Sequence, residues 1–437
     1  MRDATQALTV LAEIAPGARA LLEQRLAAIA SHLDTNPVFR PGELPDTHFM
    51  RFAIIDDARR EFPALLAWES NHDGAAAAYL AAVARAAPSI TAVFECCADH
   101  PAAGPAEGTA AVDAWVAWML ARSHRAAAFY TGYRGVPRRA VVNARRVHDA
   151  IRGALDGCDR AALRRLAPCD LQVRIREQVA ASSADLDLSL DGPEGSERAE
   201  ELRWLLGKLA LGAAALVLLL VLPLTVIAAV LWWIALRRRE NRDIATAYTR
   251  PLEIDPAVRC VEDQITQNQM THVVDIKPGR FRLATLWLVL RAIDVLVRVY
   301  WVRGELGGIT AIHFARWVIV RDRRGVPRPR HRLVFFSNYD GSWESYLGEF
   351  IDRAASGLTA VWSNTVGFPA TRHLVCCGAR DEESFKQWTR EHQLPTQVWW
   401  SGVPDATVQN VRDDLAIRRQ LARSLADHEF ETWLNKL

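Results

Sequence analysis

The chain has 437 residues, a formal net charge of +2 at pH 7, and charged side chains at 24% of its positions. This length suits two or three domains, and a hydrophobic share of 50% suits globular domains with one membrane segment. A charge so near neutral gives no reason to expect a nucleic-acid partner.

Other broad classes also lack support. The seven cysteines show neither CxxC spacing nor a His/Cys cluster, so we expect no metal site and reduced, cytosolic thiols. The first residues, MRDATQALTVLAEIAPG, lack a secretory signal pattern, so we expect the first domain not to be exported. The motifs of nucleotide-binding loops, zinc proteases and serine hydrolases are absent as well.

In chain order, composition and periodicity predict five segments. They are a first α/β module (1–155), a helical extension with an acidic linker (156–203), a membrane segment (204–239), a connector (240–270) and a second module (271–437).

The elements are clearest in the second module. Alternating and β-branched runs predict strands at 270–276, 309–320, 333–337, 373–378 and 396–401. Apolar residues at helical spacing predict helices at 281–303, 342–355, 381–392 and 406–426. The opening order β-α-β-β-α-β is typical of a ferredoxin-like unit.

The two modules carry the same short motifs in the same order. THFMRFAII at 47–55 corresponds to IHFARWVIV at 312–320, which aligns His48 with His313 and Arg51 with Arg316. SNHDG at 70–74 corresponds to SNYDG at 337–341. Chance matches would not keep this order. We therefore predict an α+β fold of two tandem ferredoxin-like modules, an internal duplication whose copies pair within the chain or in a homo-oligomer.

The membrane segment is an uncharged run from Leu209 to Leu236, longer than the roughly 20 residues that span a bilayer. It is either a tilted single span or a re-entrant hairpin that turns at Pro223. The hairpin is favoured, because pairing of the copies needs both modules on one side of the membrane, predicted to be the cytoplasmic face. Membrane lipids are the expected partners.

A repeated histidine and a repeated polar turn supply candidate catalytic residues. They are His313, Asn338 and Asp340. A histidine on a strand is a candidate ligand or proton carrier, although hydrogen-bonded core histidines are common. On a regular strand His313 and Arg316 would point to opposite faces. Asp340 also has a structural explanation as a helix cap.

A basic loop lies between two predicted strands of the second module. Its arginines are candidates for contact with anionic lipid headgroups, or they form a solvated hairpin tip. They are Arg321, Arg323, Arg324, Arg328, Arg330 and Arg332.

The turn at 337–341 resembles the Gly-x-x-Asp-Gly motif of dye-decolourising haem peroxidases, which belong to the dimeric α/β-barrel group. The resemblance implies haem as cofactor, peroxide cleavage assisted by Asp340, and His373 or His392 as the proximal ligand. Ser337 replaces the first glycine of that motif, and the sequence offers no partner for the family's distal arginine.

Two functions follow as hypotheses. The first is a membrane-associated oxidoreductase-like protein that acts on a lipophilic small molecule at a site in the second module. The alternative is a non-enzymatic membrane-bound protein that binds a ligand or lipid, or acts as a scaffold.

Overall fold

A computed structural model describes residues 5–57, 62–102, 104–157, 167–182, 185–189, 197–244, 254–301, 306–321, 330–423 and 425–434. Within these residues the chain is α+β, with antiparallel sheets packed against helices. The predicted fold class is confirmed at this level.

The long strands occur where the sequence alternates or is β-branched. The strands are β1 (Thr5–Glu13), β2 (Thr47–Ile55), β3 (Leu65–Asp73), β4 (Ala128–Thr131), β5 (Gln267–Asp275), β6 (Ile312–Val320), β7 (Arg332–Asp340), β8 (Thr371–Arg372), β9 (Cys376–Cys377), β10 (Gln393–Leu394) and β11 (Thr396–Ser401).

The helices mostly bury one face. They are α1 (Arg19–Ser31), α2 (Ala76–Ala86), α3 (Thr91–Phe94), α4 (Thr109–Ala121), α5 (Arg138–Asp156), α6 (Pro168–Ser182), α7 (Glu197–Leu220), α8 (Leu222–Glu240), α9 (Pro256–Arg259), α10 (Arg280–Val299), α11 (Trp343–Trp362), α12 (Glu382–His392), α13 (Val408–Leu421) and α14 (Asp427–Leu434).

The two main sheets exchange strands between the halves of the chain. The first sheet has the order β1-β3-β2-β11, and the second has the order β10-β5-β7-β6-β4. The late strand β11 therefore completes the sheet built from the start of the chain, while β4 of the first half pairs with β6. The sheets thus cross the predicted boundary between the modules.

The sheets face each other across an apolar layer, and helices cover their outer faces. Side chains of both sheets meet in this layer, among them Leu11 and Ile55 from the first sheet and Val318 and Phe336 from the second. The outer cores lie under the helices. Because successive residues of a strand point to opposite faces, both faces of these strands are buried.

One predicted strand of the second half is wrong. In place of a strand at 373–378 the chain forms a short hairpin of β8 and β9, two residues each. Between them His373 and Leu374 have φ values of 54° and 69°, which a continuous strand does not allow. Their backbone N–H groups donate to the carboxylate of Glu240, at 3.0 and 2.7 Å.

The predicted membrane segment forms α7 and α8. Among the described residues, no helix on its own is both long and apolar enough to cross a membrane. Two bent helix pairs meet that standard by length and composition, namely Ala76–Ala86 with Pro88–Phe94, at 99°, and Trp204–Val217 with Leu222–Glu240, at 89°. Pro223 lies in the first turn of α8, next to the bend.

The second of these pairs leaves a large apolar surface exposed. Leu220, Leu224 and Leu231 are 77%, 69% and 62% exposed. The end of α8 is anchored on the second half: Leu236 is buried against Ala360 and Leu374.

Candidate functional site

The three predicted catalytic residues lie at one end of the second sheet, where two of them meet. His313 Nε2 is 2.8 Å from Asp340 Oδ1, and Asp340 Oδ2 accepts the backbone N–H of Val408 at 2.7 Å. Val408 is the first residue of α13, so the carboxylate satisfies one of the unpaired N–H groups at that helix start. Asp340 thereby joins α13 to the sheet.

The first half has the same arrangement. His48 Nε2 is 3.0 Å from Asp73 Oδ1, and Asp73 Oδ2 accepts the backbone N–H of Arg138, the first residue of α5, at 2.6 Å. A contact that recurs in both halves of the chain is explained by helix docking, without a reaction.

Asn338 is directed to a different group. Its Oδ1 accepts hydrogen bonds from Arg51 of the first sheet at 2.6 Å and from Trp399 Nε1 at 2.9 Å. In return, Arg316 of the second sheet donates to Asn71 Oδ1. The two repeated arginines thus hold the sheets together.

The expectation that His313 and Arg316 point to opposite faces is wrong. Strand β6 has an irregular register between Ile312 and Phe314, and such a bulge shifts the alternation by one residue. Both side chains therefore point toward the first half: the ring of His313 lies 5.1 Å from that of Phe49, and Arg316 donates to Ser70 O at 3.0 Å.

Glu69 is a buried anion between these arginines. Its carboxylate oxygens lie 2.8 Å from Arg51 Nε and 2.6 Å from Arg316 Nη2, and all three side chains are at most 1% exposed. Burial lowers the pKa of both arginines, that of Arg316 to about 10. In the first sheet Glu69 lies opposite Arg51 on the neighbouring strand. In the second sheet the residue opposite Arg316 is Phe336, so that sheet has no second anion at this position.

Half of the predicted lipid-contacting arginines can be placed. Arg323, Arg324 and Arg328 lie outside the described residues. Arg321 is exposed. Arg330 donates to Asp57 and Asp275, each at 2.8 Å. Burial lowers the pKa of Arg330, but the bonds to these two carboxylates outweigh it and the net pKa is raised. The guanidinium of the buried Arg332 lies 5.7 Å from the ring centre of Phe62. Arg330 and Arg332 thus contact the first half of the protein.

A cavity of about 340 Å³ lies on the outer face of the second sheet, under α11. Ile293, Trp301, Trp317 and Phe350 contribute apolar walls, and Arg353 and Arg380 lie among its polar lining residues. Helix α11 departs from helical geometry at Ala354, a lining residue with φ −133° and ψ 18°. This kink therefore shapes the wall of the cavity.

A smaller void of about 20 Å³ lies between the same sheet and helices α11 and α12. Trp317, Phe350 and Leu358 line both spaces. The void also contacts His272, which is 1% exposed and has no hydrogen-bond partner at either ring nitrogen among the described residues. Burial, with a smaller effect of His392, holds the pKa of His272 well below its ordinary value.

The strand register identifies the corresponding position in the first half. Across the second sheet His272 faces Phe335, which faces Trp317. Across the first sheet Val10 faces Trp68, which faces Phe52. Sequence reasoning did not single out His272; its signal is a histidine where the first half has a valine.

The residues that the resemblance assigned to haem, Asp340, His373 and His392, line neither of these two spaces. Both carboxylate oxygens of Asp340 are occupied by structural bonds. His373 stacks on Trp233, and His392 Nδ1 donates to Trp388 O at 2.8 Å. No histidine lines the larger cavity, and the described part of the chain contains no group of three or more potential metal ligands.

Comparison of the chain with protein-family models, curated proteins and solved structures found no match.

Proposed function

We propose that this chain is a membrane-anchored protein that binds a lipophilic small molecule in the 340 Å³ cavity under α11. The cavity is the observation that carries the proposal, since sites for small apolar ligands are concave, mostly apolar pockets of a few hundred Å³ with few polar groups. Binding is preferred to catalysis because His313, Asn338 and Asp340 have their polar atoms in structural bonds.

The architecture that we propose is a duplicated ferredoxin-like module in which the copies pair as a dimer would. Three relationships support it: the sheets exchange their last long strands, Arg51 and Arg316 make reciprocal bonds, and Asp73 and Asp340 each accept the first N–H of a helix. In a symmetric pair, a contact made by one copy is made in return by the other.

For the membrane segment we propose the re-entrant hairpin. The exchanged strands β4 and β11 belong to halves that precede and follow α7 and α8. A single span would place these halves on opposite sides of the bilayer and would break both pairings. The bend of 89° between the helices and the exposed leucines on them support a hairpin that enters the bilayer from one face.

The cavity lies beside this apolar region. Ile293 of α10 lines the cavity, and α10 also contacts the hairpin: Thr285 Oγ1 accepts from Trp232 Nε1 at 3.2 Å. Trp287 and Leu288 of α10 are 50% and 54% exposed. A lipophilic ligand dissolved in the bilayer would therefore reach the cavity over a short apolar path.

Two glycines of α11 provide a matched test. An added Cβ would meet no atom within 4 Å at either Gly348 or Gly357, but only Gly357 lines the cavity. The substitutions Gly357→Leu and Gly348→Leu both favour the helix by about 1 kcal/mol. We expect an apolar molecule to co-purify with the wild type and with Gly348→Leu, as measured by mass spectrometry of organic extracts, and to be depleted from Gly357→Leu. Equal amounts in all three proteins would contradict binding in the cavity.

A further inference from the structure

His272 is buried in the core of the second half, beside a void that shares three lining residues with the proposed ligand site. The larger cavity and the inner void share Trp317, Phe350 and Leu358 as walls. The imidazole borders the void, with the rings of Trp362 and Trp388 at 4.9 and 4.8 Å from its own. A rearrangement of these three side chains would join the larger cavity to the void beside His272.

The imidazole of His272 retains its full hydrogen-bonding capacity. Neither nitrogen has a partner among the described residues, although buried polar side-chain atoms are almost always paired. A neutral imidazole offers one N–H donor and one acceptor nitrogen. The burial that keeps this ring neutral also disfavours a charged partner. A hydroxyl or carbonyl oxygen fits both conditions.

The size of the void limits the group that can enter it. About 20 Å³ accommodates a single atom of the size of water. The surrounding aromatic side chains, Trp317, Phe335 and Trp362, leave space for one oxygen substituent and not for a carboxylate or a phosphate. The larger cavity would contain the rest of the molecule.

The fold itself does not require a histidine here. Val10 has the same place in the first sheet, where it is fully buried in the core with Trp68 and Phe52. A polar side chain in only one of two equivalent rows points to a role in that half alone.

We propose that His272 is the polar anchor of the ligand site, and that the ligand is a neutral, apolar ring compound whose single hydroxyl or carbonyl oxygen hydrogen-bonds to the imidazole. This inference rests on the proposed binding function and names its ligand class.

The test compares 2-naphthol with naphthalene, which differ by one hydroxyl group, on the wild type and on His272→Val. The variant carries the residue that the first half has in this position. Binding is measured by calorimetric titration of the detergent-purified full chain against detergent-matched blanks. We expect the wild type to bind 2-naphthol at least tenfold more tightly than naphthalene, which corresponds to about 1.4 kcal/mol. In His272→Val we expect the two affinities to be equal.

A second variant and a thermal measurement keep the result interpretable. His272→Asn retains a donor and an acceptor, and we expect it to keep part of the preference for 2-naphthol. The unfolding temperature of each variant, measured without ligand, verifies that the protein is folded. If His272→Val is unfolded, the anchor role is judged from the preference of the wild type for 2-naphthol and from the reduced preference expected of His272→Asn.

The outcomes separate the inference from the proposed function. If both compounds bind the wild type equally, or if the preference survives in His272→Val, the cavity binds ligands but His272 is not the anchor. If neither compound binds any folded form and no apolar molecule co-purifies, the proposed function fails together with the inference.

Discussion

Arg51 of the first sheet donates a hydrogen bond of 2.6 Å to Asn338 of the second sheet. Arg316 returns the contact to Asn71. Both guanidinium groups are buried, and the carboxylate of Glu69 lies between them. The attachment of one half to the other therefore includes a buried charge cluster in which one anion serves two cations.

Removal of that anion is expected to be costly. Glu69→Gln leaves two buried guanidinium groups without a counter-charge, and we expect the free energy of unfolding to fall by about 3–5 kcal/mol. Denaturant titration of the purified protein measures the change. Glu23→Gln is the matched control, since Glu23 pairs with Arg19 on the exposed surface and should change stability by about 0–1 kcal/mol. A similar small effect at Glu69 would show that the cluster does not stabilise the interface.

Asp340 accepts the first N–H of α13, as Asp73 accepts the first N–H of α5. This shared role predicts that removal of either carboxylate lowers stability by a similar amount. We expect Asp340→Ala and Asp73→Ala each to lower the free energy of unfolding by about 1–2 kcal/mol, because each leaves a helix N-terminal N–H without its acceptor. We expect ligand binding to be unchanged in both. If the two variants are equally stable but only Asp340→Ala loses ligand binding or a measured activity, Asp340 has a direct functional role.

His72 makes the stability dependent on pH. Burial, with a smaller effect of Arg316, lowers its pKa to about 3, so the folded protein keeps it neutral where the unfolded chain takes up a proton near pH 6.5. Between these values the unfolded state binds more protons, and stability falls as the pH falls. We expect this residue to contribute a loss of about 2 kcal/mol between pH 7 and pH 5.

The variant His72→Tyr tests this contribution. In the second half Tyr339 takes this register position and stacks on Tyr346 at 3.7 Å, as His72 stacks on Tyr79 at 3.9 Å. We expect the variant to fold and to lose less stability than the wild type between pH 7 and pH 5, as measured by denaturant titration at each pH. An identical pH dependence would rule out the contribution of His72.

The exchange of strands predicts the topology of the proposed membrane hairpin. Cys169 in the first half and Cys260 in the second are exposed, while Cys96 is buried. In variants that keep one of these cysteines, we expect a membrane-impermeant maleimide to label Cys169 and Cys260 from the same side of sealed vesicles and to leave Cys96 unlabelled. Labelling from opposite sides would require a single span and would contradict both strand exchange and hairpin.

Much of the local structure could be read from the sequence. The pattern at 396–401 predicted β11 and the pattern at 381–392 predicted α12 to within one residue. These elements depend on alternation and on helical periodicity, which a short stretch of chain expresses by itself. The two-residue hairpin at β8 and β9 escaped prediction because Glu240, far away in the chain, binds its backbone.

The sequence by itself determined most of the strands and helices and the position of the uncharged run, because these properties depend on neighbours in the chain. Only the tertiary structure decided that β4 and β11 change sheets, that a bulge turns His313 toward Asp340, and that His272 borders a void. Those outcomes depend on how side chains that are distant in the sequence pack against each other. Such packing produces no periodic pattern in a single sequence.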